Sequence, residues 1–112
     1  VGHLKNRVFA RILDGKGKPP SAPVVLSENA GGSDANPSVA FDGRDFVAVW
    51  QRFDGENKSH GLVARKFSVA GSKLGQQVKV AGDSAIEPNL ARVGNGLVLA
   101  WTQYVGNRAT GR

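Results

Sequence analysis

Few side chains in this sequence of 112 residues could carry chemistry, and their spacing limits what that chemistry can be. His3 and His60 lie in polar stretches without Cys or clustered carboxylates at ligand spacing, so no metal site is expected. Asp14-Gly15-Lys16-Gly17-Lys18 has the outline of a calcium loop. Lysines stand where a hard cation needs carboxylates, however, and the segment reads as a turn. Asp42 and Asp45 share another tight turn, where Asp serves local backbone hydrogen bonding. A nucleophile needs a base, and glycoside chemistry needs two facing carboxylates. The acids are scattered through turns, Cys is absent and no Ser-His-Asp set stands out, so no catalytic residue and no cofactor is expected. Gly94-Asn95-Gly96 is a hairpin turn rather than a phosphate loop, and Asn57-Lys58-Ser59 is an incidental match to a glycosylation acceptor.

Binding offers more. Trp50 and Trp101 could stack on sugar rings. Each ends an apolar run, which assigns both to packing between sheets. Arg11 and Arg65 recur at matching positions, where stems can cover an aromatic ring while the guanidinium pairs with an Asp. Gln51, Arg52, Gln103 and Tyr104 fall where strands run into loops at one rim, and they are the candidate binding residues for carbohydrate or protein.

Lys and Arg number 15 against 9 Asp and Glu, a net charge of +6. The basic residues form no run or stripe and no aromatic residues interleave with them, which argues against nucleic acid as a partner. Weak attraction to anionic surfaces is the simpler consequence. No apolar stretch is long enough to cross a membrane as a helix, and with polar Gly2-His3 and basic Lys5 and Arg7 following Val1 no signal peptide is expected in this stretch.

The elements that must position these residues repeat. Pro37, Gly43 and Trp50 superpose on Pro88, Gly94 and Trp101 at one constant spacing, and Phe53 on Tyr104. Upstream, a second spacing places Ala10-Arg11 on Ala64-Arg65, Leu13 on Phe67, Gly17 on Gly71 and Val24 on Val78. The difference is absorbed between Ser27 and Pro37, where residues 28–33 read as a loop. Pro, Gly and Trp agreeing at one spacing marks a true internal repeat.

Each repeat reads as four short strands, here 38–41, 46–51, 62–68 and 77–81, separated by Gly, Asp and Asn turns. Phe46-Val47-Ala48-Val49-Trp50 is apolar at consecutive positions, and successive strand side chains point to opposite faces, so both faces of that strand must be covered. A two-sheet sandwich also uses short regular strands but normally keeps one wet face per sheet and no repeat. Four antiparallel strands in a repeat of about 50 residues, stacked on both faces, fit a β-propeller blade better.

Asn36-Pro37-Ser38-Val39-Ala40-Phe41-Asp42-Gly43, followed by an apolar strand ending in Trp50, resembles the repeat of large secreted bacterial propeller proteins. Gly61-Leu62-Val63-Ala64-Arg65 is similar to the strand that follows in that family. The resemblance implies a propeller fold and an extracellular or cell-surface setting, and it implies no activity. Arg92-Val93-Gly94 departs from the pattern by lacking the Asp before Gly.

The expected organisation is all-β. Residues 1–35 form the second half of a blade, 36–86 one full blade and 87–112 the first half of another. Two blades' worth cannot close a ring of the usual four to eight. The ring is therefore completed by further copies or by the remaining blades of a parent protein. The expected function is a non-catalytic, self-assembling scaffold or binding module. The alternatives are an excised or engineered fragment of a larger secreted enzyme or adhesin without activity of its own, and a basic ring that holds polyanions.

Overall fold

The computed structural model describes residues 6–18, 22–28, 32–53 and 59–105, with the backbone alone for Ser59 and His60. His3, Asn57 with Lys58, and the segment 106–112 lie outside the described residues. The strands are β1 (Phe9–Ala10), β2 (Val24–Val25), β3 (Ser33–Phe41), β4 (Phe46–Phe53), β5 (Ser59–Phe67), β6 (Lys73–Ala81), β7 (Ala85–Val93) and β8 (Gly96–Gln103). They form three antiparallel sheets: the pair β1-β2, the four-stranded β3-β4-β5-β6 and the pair β7-β8. Among the described residues no helix is long and apolar enough to cross a membrane.

The two pairs reproduce the halves of the central sheet. In β1-β2, Phe9 faces Val25 and Ala10 faces Val24; in β5-β6, Val63 faces Lys79 and Ala64 faces Val78. In β7-β8, Asn89, Leu90 and Ala91 face Ala100, Leu99 and Val98. Their counterparts Ser38, Val39 and Ala40 face Val49, Ala48 and Val47 in β3-β4. Both β3 and β7 carry a register shift beside the proline, and Asn36 and Glu87 just before it hold φ of 55° and 54°. A bulge of this kind adds a residue to one strand and lets it run past a proline. That is why β3 begins at Ser33, inside the loop expected over 28–33, and not at residue 38. β6 likewise starts at Lys73, ahead of residue 77.

The turns repeat as well. Asp14 Oδ1 accepts the amides of Lys16 and Lys18, and Ser68 Oγ accepts those of Ala70 and Ser72. Asp14-Gly15-Lys16-Gly17-Lys18 is thus a turn built on its own carboxylate. At the β3-β4 turn Asp42 Oδ1 accepts from the amides of Arg44 and Asp45 at 2.9 and 2.8 Å. Gly43 there holds φ of 102°, a conformation that L side chains rarely adopt.

Two apolar cores lie on opposite faces of the central sheet. Val8 and Leu26, from the β1-β2 side, meet Ala48, Trp50, Val63 and Phe67. On the other face Val49, Leu62 and Ala64 meet Ala85 and Leu90, with Leu97 and Leu99 packed alongside. The consecutive apolar run of β4 is therefore covered on both sides, as its composition requires.

Candidate functional site

Trp50 and Arg52 are two residues apart in β4 and share its face, and Asp34 on β3 stands directly opposite Arg52. Trp50 Nε1 donates to Asp34 Oδ1 at 2.9 Å, and Arg52 Nη1 lies 3.3 Å from the same oxygen. All three side chains are buried. A buried ion pair needs further hydrogen bonds to offset its desolvation, and the indole supplies one. The second unit carries Ala85 and Gln103 at the positions of Asp34 and Arg52. There Trp101 donates to Gln103 at 2.8 Å.

Gln51 points to the opposite face and is also buried. Its Oε1 accepts from Asn36 Nδ2 at 2.7 Å and from the Glu87 amide at 3.0 Å, so it pins β7 onto the central sheet at the paired bulges. Ser38 Oγ, accepting from the Leu90 amide, is a second pin. Gln51 and Arg52 thus spend their polar groups inside the molecule. Gln103 and Tyr104, the other two rim residues, are exposed.

Arg65 takes a different partner from the expected Asp. Its guanidinium donates to the carbonyls of Gly75 and of Leu26, each at 3.0 Å, and the second contact ties β5 to the segment after β2. Arg11 is exposed. Pro88 is buried while Pro37 is exposed. Gly94 sits in the β7-β8 turn with φ of 58°. Trp101 departs from the burial expected of both tryptophans, remaining 42% exposed against 0% for Trp50, because β8 has a single neighbouring strand among the described residues.

Apolar grooves lie on both faces of the central sheet. One, of about 310 Å³, runs along β1 between Phe9, Ile12, Val39 and Phe46. The other, of about 300 Å³, lies on the opposite face of the central sheet among Val47, Ala64, Leu74 and Val78. Among the described residues no three His, Cys, Asp or Glu side chains cluster as metal ligands. The chemistry these surfaces offer is burial of apolar side chains. Comparison with protein-family models, with characterised proteins and with solved structures finds no significant match to this chain.

Proposed function

We propose that this chain is a non-catalytic structural module, two blades' worth of a β-propeller that assembles with further copies of itself. One observation carries the reading: the flanking strand pairs keep the registers of the two halves of the central sheet, so each is half of the same unit. Stacking units whose both faces are apolar is how propellers and other repeat arrays build a continuous core. An extracellular or cell-surface setting fits the resemblance to secreted propeller repeats. The rim would then present ligand-binding loops, and of the four rim candidates only Gln103 and Tyr104 remain accessible there.

Negative-stain electron microscopy of the purified chain tests the scaffold reading. Ring-shaped particles of uniform diameter are expected, and irregular aggregates or particles without a central axis would overturn it. A glycan array comparing the native chain with Tyr104→Ala tests the rim. Binding lost in the variant supports a carbohydrate role, and no binding by either chain overturns it.

A further inference from the structure

The exposed apolar side chains fall into complementary sets. Phe9 and Leu13 are each 59% exposed, and Val78 and Val80 on β6 are 54% and 41% exposed. In the repeat, Phe9 and Leu13 correspond to Val63 and Phe67, while Val78 and Val80 correspond to Val24 and Leu26. Those counterparts meet one another in the first core, where Leu26 shares a cluster with Val63 and Phe67 and Val24 packs against it. Val80 therefore lacks a Phe9 and a Leu13, and its own chain holds these on the far side of the central sheet. A second set behaves in the same way. Exposed Val39 and Val98 correspond to Leu90 and Val47, which meet in the second core.

Strand edges agree with the side chains. Among the described residues β8 pairs only with β7 and β1 only with β2, whereas their counterparts β4 and β5 pair with each other. We propose that two copies of this chain complete one four-stranded sheet between them, β8 of one copy lying antiparallel to β1 of the next in the register of β4 and β5. Trp50 faces Val63, Val49 faces Ala64, Ala48 faces Arg65 and Phe46 faces Phe67 in that register. Carried to the junction, it sets Trp101 against Phe9, Ala100 against Ala10, Leu99 against Arg11 and Leu97 against Leu13.

Both grooves are seats for this junction. The arriving β8 brings Val98 onto Val39 and Phe46 in the groove along β1. The arriving β1 brings Leu13 into the groove beside Ala64 and Val78. Arg65 donates to the Leu26 carbonyl within the chain, and the same geometry carries Arg11 of the second copy to the Val80 carbonyl. The contact is head-to-tail, so it generates a ring if its rotation closes and a filament if it does not. The inference rests on the self-assembling repeat reading above and adds the partner surface and its register.

The sequence has no cysteine, so introduced thiols report without background. Ala10→Cys and Ala100→Cys chains are mixed and oxidised, with Ala10→Cys and Thr102→Cys as the register control. Directly opposed Cβ atoms lie about 5 Å apart and diagonal ones about 7–8 Å. A disulfide tolerates only the shorter separation, so the first mixture is expected to give at least about tenfold more covalent dimer than the control. No dimer, or equal dimer in both mixtures, overturns the proposal. Adding Val80→Asp to the Ala100→Cys chain alters a side chain exposed in the single copy. It is expected to leave the circular dichroism unchanged and abolish the dimer, and dimer persisting at full yield overturns the face assignment. Specific dimer with filaments instead of rings sinks the propeller reading alone, and rings without specific dimer sink the register alone.

Discussion

Trp50 and Asp34 are joined by a 2.9 Å hydrogen bond from the indole N–H to a carboxylate that also faces Arg52, all within the buried interior of the central sheet. The arrangement ties β3 to β4 across the bulge at Asn36 and closes one end of the first core. Losing Asp34 removes the carboxylate that faces the buried Arg52 guanidinium and the acceptor of the buried Trp50 indole N–H.

Asp34→Ala is expected to cost about 3–5 kcal/mol of unfolding free energy, the usual penalty for breaking a buried pair from one side. Asp34→Asn retains an acceptor for Trp50 and is expected to cost less. Urea denaturation followed by Trp fluorescence measures both. Equal stability of Asp34→Ala and the native chain would contradict the assignment.

Gln51→Leu removes the acceptor shared by the Asn36 side chain and the Glu87 amide. A cost of about 1–3 kcal/mol is expected for the stranded donors. The loss should be local: amide exchange in β7 and β8 accelerates while β4 and β5 keep their protection. Uniform acceleration across all strands would mean that Gln51 is not the pin.

Gly61 holds φ of 111°, and a Cβ there would meet the backbone of Ala81, the last residue of β6, and of Gly82 after it. Gly61→Ala is expected to lower stability by about 1–3 kcal/mol or more, since strained backbone and a backbone clash coincide. Gly15→Ala is the control, with no neighbour within 4 Å of the added Cβ. Its effect is expected within about 0.5 kcal/mol, as for an ordinary surface change.

Asp42 has its carboxyl held below the ordinary carboxylate value by the Asp45 amide, then the Arg44 amide, with Lys66 adding a smaller attraction. A depressed native value means the contribution is present above the unfolded carboxylate range and is lost as pH falls through the native value. Asp42→Asn is therefore expected to flatten the acid limb of the stability curve below about pH 4. Thermal unfolding of the two chains across that range measures the difference, and parallel acid limbs would contradict it.

Trp101 is the solvent-facing member of the tryptophan pair, and the proposed junction covers it with Phe9 of the next copy. Dilution should shift the emission to longer wavelength in the native chain and leave a Trp101→Phe chain unmoved, since Trp50 stays buried throughout. An unchanged spectrum over the dissociating range would contradict the junction.

Much of the fold was legible because the repeat carries its own check. Pro37 and Pro88, Gly43 and Gly94, and Trp50 and Trp101 agree at one spacing, and the paired strands sit in matching registers. Strand starts were less legible. Asn36-Pro37 reads as a break, yet a positive-φ bulge lets β3 pass through it. The burial of Arg52 is hidden from the sequence for a related reason. From sequence it sits at a strand end beside a polar loop, and only the register across the bulge brings Asp34 opposite it. A signal was present in the second unit, where Asp and Arg are exchanged together for Ala85 and Gln103. Arg65 satisfies the carbonyl of Leu26, just past β2, and that of Gly75, inside the register shift of β6, a demand of backbone geometry that residue types alone do not display.

Molar mass in solution, measured by light scattering across a concentration series, tests most directly whether the open ends complete one another. A mass that is a whole multiple of the 11.8 kDa chain, falling on dilution together with the Trp101 emission shift, is the expected result. A folded chain at 11.8 kDa at every concentration would contradict it.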